Sequence, residues 1–397
     1  MSSKHLSVAW QITPKELPGD VFRRLLLRLP GGAISTPPGS SPRHRAIIYE
    51  AQRLGDFLLA VKSIRILLDY FGEEHSALAV SPEAMPLAIE SFPKVAKFAV
   101  PLFLAIGGWD LFGGLRLRRG LSAHSCDHLV CLRHHRSPLA TSILGWIPAN
   151  ERWAIVSHPW MSPGARAAED RLFDHTAAFP FQGEEGVPLE VQASARLLSM
   201  VTGFPHQAEA LLPSIDLDQV HPADSGSASL VVAPWGSSHM KSIPEKLLTG
   251  VLKKLSEHAF FSVDVVTAPF ESDKTHVLTG RLRKSLPGMD VVDRLTPLGD
   301  LTGVISSATA VLACDSFVGH LATALDRPTA VLATGASPGL FGGWSRSGKQ
   351  RWFTREMACW GCGWRCAHSH PRCLHEIPPG DVADFLLPSL TGKAVRL

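Results

Sequence analysis

Cys314-Asp315-Ser316-Phe317-Val318-Gly319-His320-Leu321-Ala322-Thr323-Ala324-Leu325 joins an apolar strand, Thr309 to Ala313, to a helix, and a second apolar strand, Thr329 to Ala333, follows Pro328. A strand ending in Asp-Ser leaves the first N–H groups of the next helix unpaired at the sheet edge, with the helix dipole behind them. An anion such as a phosphate is stabilised there. His320 lies one helical turn beyond Ser316, where it can face the same ligand. The pattern equally describes an ordinary strand–helix turn in which Ser316 caps the helix and His320 is solvated.

Strand and helix alternate on both sides of this corner. Leu230 to Ala233 reads as a strand, Pro244 to Glu257 as a helix, Phe261 to Ala268 as a strand and Glu271 to Leu286 as a helix, with Asp290 to Val292 and Leu298 to Ser306 continuing the series. An earlier stretch repeats the scheme. Ala46 to Tyr49 is a short apolar strand, and Gly55-Asp56 opens a helix whose Leu58, Val61, Ile64, Ile66, Leu67 and Leu68 keep helical spacing. Ala77 to Val80, Val95 to Val100, His128 to Leu132 and Trp153 to Ser157 supply further strands. Such alternation predicts an α/β protein with two doubly wound, Rossmann-like domains facing a cleft, where ligands bind beyond the carboxyl ends of the strands. The polar, proline-containing stretch Pro213 to Gly226 is the expected interdomain linker, giving domains at 46–222 and 223–397. The helix near Asp381 to Leu390 is expected to cross back and tie the halves together.

Composition bounds the class. A chain of 397 residues is too long for one ordinary core, and 45% hydrophobic with 19% charged residues describes a globular protein. A net charge of +3 and a pI near 8.5 do not argue for nucleic acid. Residues 1–45 read as an extension: Val21 to Leu29 is a short basic, apolar helix that packs on its own domain or docks on a membrane surface or sister subunit, and Pro30 to Arg45 is a Gly/Pro/Ser-rich linker. Met1 to Thr13 lacks an apolar h-region, so a cytoplasmic protein is expected, with peripheral contact at the inner membrane left open. Phe98 to Leu115 is apolar but broken by Pro101, Asp110 and four glycines, and reads as a buried or cleft-lining segment.

Two more loops join the Asp315 corner at strand carboxyl ends. Arg53-Leu54-Gly55-Asp56 places a carboxylate at a helix start, where the dipole keeps Asp56 ionised as a general base must be, although a plain helix cap has the same sequence. Pro234-Trp235-Gly236-Ser237-Ser238-His239-Met240-Lys241-Ser242-Ile243-Pro244 offers backbone and hydroxyl donors, Ser237 among them, and in Lys241 a charge suited to a diphosphate.

Cys359-Trp360-Gly361-Cys362-Gly363-Trp364-Arg365-Cys366-Ala367-His368-Ser369-His370-Pro371-Arg372-Cys373 holds four of the seven cysteines within fifteen residues. C-x2-C is the spacing at which two thiolates reach one metal ion, so Cys359, Cys362, Cys366 and Cys373 are candidate ligands for a structural zinc or iron. His368, His370 and His375 are alternative ligands, and four free thiols in a loop is the plain alternative. Cys126, Cys131 and Cys314 are expected in the core.

Together these blocks resemble glycosyltransferase family 9, the lipopolysaccharide heptosyltransferases, over roughly Ala46 to Leu390. Arg53-Leu54-Gly55-Asp56 is similar to the family's R-x-G-D block, whose aspartate is taken as catalytic base. Pro234 through Lys241 and Pro244 is similar to the block that opens the donor domain, whose lysine contacts donor phosphate. Leu298 to Leu332 resembles the long sugar-nucleotide block that ends in D-[ST]-G-x-x-H-x-A-A-A-L-x-x-P-x-V. Trp235 stands at a glycine-like position, Ile243 at the usual tryptophan and Phe317 at the usual glycine, with Gly319 two places later. The Cys-rich segment, followed by the Cys373 to Val382 stretch, has counterparts in many members, some of which carry an iron there.

The resemblance implies a GT-B fold and an inverting transfer of a sugar, heptose from ADP-heptose first, to a hydroxyl of a glycan, glycolipid or protein. Asp56 would act as base, and Ser237, Lys241, Asp315, Ser316, Gly319 and His320 would bind the donor, with no catalytic divalent ion needed. The alternatives are a transferase for another nucleotide sugar and a catalytically silent sugar-nucleotide-binding subunit. Nucleic acid is not an expected partner, and oligomer formation is left open.

Overall fold

The computed structural model describes residues 43–100, 111–133, 136, 141, 143–156, 171–180, 186–215, 228–268 and 271–392. The expected helix at 21–29 and most of the expected linker lie outside these residues.

The first half contains β1 (Arg43–Glu50), α1 (Leu54–Phe71), β2 (Ser76–Val80), α2 (Met85–Ser91), β3 (Ala96–Ala99), α3 (Leu111–Ser122), β4 (Ser125–Cys131), β5 (Ala149–Ile155), β6 (His175–Ala177) and α4 (Leu189–Thr202). The second contains β7 (Ser229–Ala233), α5 (Glu245–Ser256), β8 (Ser262–Thr267), α6 (Ser272–Ser285), β9 (Val291–Leu295), α7 (Leu298–Ser307), β10 (Ala310–Cys314), α8 (Phe317–Ala324), β11 (Thr329–Leu332), β12 (Gln350–Phe353), α9 (Arg372–His375) and α10 (Pro379–Leu390). The first strand starts earlier than expected, because Arg43 and His44 already pair with Ser125 and Cys126.

Each half forms a six-stranded sheet, ordered β3-β2-β1-β4-β5-β6 and β12-β11-β10-β7-β8-β9. All pairings are parallel. Counted within each half, both sheets have the order 3-2-1-4-5-6. The strand order reverses between the first and fourth strand, and the resulting crevice is where such sheets bind ligands. The three loops singled out above follow β1, β7 and β10, so all three stand at these switch points.

Local sequence explains the elements that frame them. The central strands are apolar on both faces, β7 and β10 being buried along their full length, as a sheet covered by helices on both sides requires. α1 buries Phe57, Ile64, Leu67, Leu68 and Phe71 in one cluster and Leu58 in another, each side chain contributing roughly 1.5–3 kcal/mol. It stops at Gly72, whose φ of 92° allows its N–H to return to the Leu68 carbonyl.

The halves share apolar clusters. Ala324, Leu340 and Trp344 of the second half are buried in the cluster built on β1, α1 and α4. Leu58 of α1 is buried in the cluster of β7, β10, α7 and α8. The C-terminal helix does not supply this tie as expected: α10 packs mainly on α5, β10 and β11 of its own half, with Pro379 against Gly250. Among the described residues no helix is long and apolar enough to cross a membrane.

Candidate active site

The loop after β7 folds back on itself. The Ile243 N–H returns to the Pro234 carbonyl at 2.8 Å, the Lys241 N–H to the Ser238 carbonyl at 2.9 Å, and the Gly236 N–H to the Ser242 hydroxyl at 3.3 Å. Any side chain at Gly236 would collide with the Lys241 Cβ. This hairpin carries Lys241 to the Asp315 corner, where Nζ stands 3.0 Å from Oδ2, both side chains less than one-fifth exposed. Ser237 is exposed on the loop, and Ser238, through its hydroxyl at 3.1 Å from the Met240 N–H, holds the loop's shape.

At the corner, Ser316 is the extended N-cap residue of α8, and its hydroxyl makes no bond to the helix it caps. Gly319 is buried, and a Cβ there would lie 3.2 Å from the Cys314 carbonyl and a Val331 methyl, so its smallness seats α8 on the sheet. His320 is not solvated: it is 4% exposed, stacked on Trp344, with Trp352 beside it. Burial holds its imidazole down to about 4, against an opposing pull from Asp315. Trp344 Nε1 donates to His320 Nδ1 at 3.3 Å, which leaves the proton on Nε2, 3.9 Å from Asp315 Oδ1. Neutral His320 therefore orients the corner rather than adding a charge to it.

The departures from the expected family pattern point away from the corner. Trp235 bonds Thr275 of α6 at 2.7 Å, Ile243 is buried in the second-half core, and Phe317 packs with the cluster containing Leu58 and Leu301. Phe317 is thus an interface residue whose backbone N–H remains at the helix start.

α1 meets this corner end-on. A Cβ on Gly55 would lie 3.3 Å from His320 Cδ2 and 3.7 Å from the Phe317 nitrogen. Gly55 thus eases the close approach of two helix starts, since a Cβ there would crowd the His320 ring. The next residue, Asp56, is half-buried and accepts from the Arg53 N–H at 3.3 Å.

Sequence reading missed the polar layer behind Asp56. Gln52 Nε2 donates to Glu50 Oε1 at 2.8 Å and Glu190 Oε1 at 3.3 Å, and all three side chains are buried. Burial, then the neighbouring Glu190, pushes the Glu50 carboxyl well above its usual range. Burial pushes Glu190 up to about 8, opposed by the Gln52 hydrogen bond and Arg133. Arg133 Nη1 donates to the Ala51 carbonyl at 2.9 Å and the Ser81 hydroxyl to the Gln52 carbonyl, so the strand end that carries Asp56 is fixed on three sides.

Cys359, Cys362, Cys366 and Cys373 line one cavity of about 10 Å³, with Trp360, Trp364 and Met357 in its wall. Cys373 Sγ accepts the Gly335 N–H at 3.3 Å, and burial raises the Cys362 and Cys373 thiols. The spacing does bring the four thiols to one place. Among the described residues, however, no three His, Cys, Asp or Glu side chains stand where one ion could be held, so the expected ligand sphere is not assembled. Cys126, Cys131 and Cys314 are core residues, as expected.

Two parallel-sheet domains, with a cation–carboxylate pair at one switch point and a helix-start carboxylate at the other, define the class: a two-domain, doubly wound α/β protein. Residues 179–363 match the sequence model of glycosyltransferase family 9 (heptosyltransferase), so the chain resembles that family of enzymes over that stretch. Lipopolysaccharide heptosyltransferase 1 of Pseudomonas aeruginosa is 29% identical over 157 residues, 40% of this chain and 43% of that relative. The match thus spans less than half the length of that curated relative. In fold, the chain is similar to E. coli heptosyltransferase WaaC with ADP (TM-score 0.60, 15% identity, 87% of this chain and 99% of that one). It is similar also to the family 9 glycosyl transferase of Veillonella parvula (TM-score 0.61, 11% identity, 90% of this chain and 100% of that one).

Proposed function

We propose that this chain is an inverting glycosyltransferase that moves a sugar, heptose from ADP-heptose first, onto a hydroxyl of a glycan, glycolipid or protein acceptor. One observation carries the reading: the Lys241–Asp315 pair stands at the ends of β7 and β10, and the start of α8, which follows β10, packs at Gly55 against the α1 start that bears Asp56. Residues 223–397 would hold the donor and 46–222 the acceptor.

Asp56 takes the proton of the acceptor hydroxyl as its oxygen bonds to the anomeric carbon. The bond from that carbon to the diphosphate oxygen breaks on the opposite face, and the electron pair leaves with the diphosphate. Lys241, Ser316 and the N–H groups at the start of α8 compensate the charge that accumulates there. Asp315 keeps the ammonium aimed, and neutral His320 keeps Asp315 and the helix start in register. Ser237 and Gly319 serve the same site more remotely, Ser237 as an exposed hydroxyl near the donor and Gly319 by seating α8.

The donor identity rests on the resemblance to heptosyltransferases, one of which is described with ADP. Turnover of ADP-heptose, assayed as ADP release beside uridine and thymidine sugars, tests it. Release from ADP-heptose alone supports the full reading, and release from another sugar nucleotide removes heptose while keeping the transferase. No turnover with any donor, together with ADP binding, would make the chain a silent binding subunit. We further propose that the four thiols of 359–373 close around one structural zinc or iron when metal is supplied, outside the reaction path.

A further inference from the structure

We infer that Trp364 is a positioning residue for the nucleoside diphosphate, which makes the cysteine segment a wall of the donor corner. The inference rests on the proposed reading of Lys241 as the phosphate contact. Lys241 Nζ lies 4.7 Å from the centre of the Trp364 ring, on whose face it is held, and 5.9 Å from that of Phe341. Asp315 is its charged partner. A lysine stem is flexible, and a carboxylate alone would fix the ammonium by neutralising it. An aromatic face holds a cation without cancelling its charge, so the ammonium stays available to an incoming diphosphate.

Trp364 is delivered there by a strained and well-anchored backbone. Its φ is +69°, in the left-handed region that a bulky residue adopts only where its surroundings impose it. Those surroundings are explicit. The Gly361 N–H bonds the Gly335 carbonyl at 2.8 Å, the Gly363 N–H bonds the Ala336 carbonyl at 2.9 Å, and the Gly335 N–H bonds Cys373 Sγ at 3.3 Å. Trp360 covers Gly335 so closely that no Cβ fits between them. The segment is thereby fastened to the loop that follows β11, on the same sheet edge as Asp315. The matched family segment ends at residue 363, one residue short of Trp364.

Calorimetric titration of the full chain with ADP, and in parallel with UDP, tests the inference. W364L and the second non-aromatic variant W364Q should each weaken ADP binding roughly 3- to 10-fold, while W364F returns it to within about twofold of the parent. On a K241M background, W364L should produce no further loss. Unchanged affinity in W364L or W364Q beside a large loss in K241M would remove Trp364 and leave Lys241 in place. An equal loss from W364L with and without Lys241, or no recovery in W364F, would show that the tryptophan does not act by holding the Lys241 ammonium and would overturn the inference. Parent-like affinity in K241M, or no binding of either nucleotide to the parent, would overturn the reading of Lys241 and the inference with it. Melting temperatures, read on every variant, decide whether a loss belongs to a folded protein.

Discussion

The corner after β1 and the corner after β10 are built alike and handle charge in opposite ways. Both take a parallel strand into a helix at a switch point, and the two helix starts touch through Gly55 and His320. Behind the first lie two buried carboxyls that share one amide and are pushed toward their neutral forms. Beside the second a carboxylate is matched by an ammonium, and a histidine is kept neutral. On the proposed reading, Asp56 takes a proton at the first corner and the second holds an anion. Identical topology leaves that division to a handful of side chains.

Asp56→Asn should break the first corner hardest. Turnover should fall by at least ~100-fold with ADP affinity and melting temperature unchanged, and single-turnover kinetics beside calorimetry would read both. Near-normal turnover would take Asp56 out of the mechanism.

Lys241→Ala is the matching cut at the second corner. Nucleotide binding should weaken by about 1.5–3 kcal/mol, the range for hydrogen bonds to charged groups. Asp56→Asn should leave that affinity alone, so the two variants separate the corners.

The buried carboxyls sharpen the contrast through pH. Glu190 titrates near 8 when folded, above its unfolded value, so the folded chain binds the extra proton and this contribution to stability is lost as pH rises from about 4.5 through 8. Glu190→Gln should therefore raise the melting temperature by several degrees at pH 9, on the order of 2–4 °C per kcal/mol, and change it little at pH 5. His320 has the reverse sign. Its folded value near 4 lies below the ordinary 6.5, so its contribution is lost as pH falls from 6.5 through 4. Calorimetric scans of parent and Glu190→Gln across both windows would show two separate flanks; a parallel offset at every pH would remove the buried carboxyl from the account.

The smallest effect concerns the cysteine segment, which only the second corner possesses. Elemental analysis of protein purified without metal resin should find about one zinc or iron per chain, and Cys362→Ser should lower the melting temperature before it alters turnover. Metal-free protein of full stability would show that the four thiols have no such role.

Both corners were legible in sequence because an apolar strand, a small-residue turn and a helical period follow one another within some fifteen residues each. What escaped depends on distant partners. Glu190 meets Gln52 across 138 positions, and Trp344 reaches His320 across 24, so no local pattern announces either. β6 and β12 were missed because three- and four-residue edge strands carry too little periodicity. The crossing expected of α10 failed because Val382, Leu386 and Leu390 find their apolar partners in the second-half core. The thiol spacing brought four sulfurs to one cavity yet specified no ligand distances, since spacing constrains the chain and not side-chain torsions.

The interlocked cores bear on how product departs. Leu58 is buried among second-half residues, and Leu340 and Trp344 among first-half residues. A wide hinge opening would strip water-excluding cover from all three, at ~5 kcal/mol or more in total. A barrier raised by that amount slows a step by more than a thousandfold. A small sliding displacement would keep the three side chains covered. On the proposed transferase reading, nucleotide exit by shear is thus the easier route, and the rate at which spent diphosphate leaves should depend on how loosely Trp344 is packed.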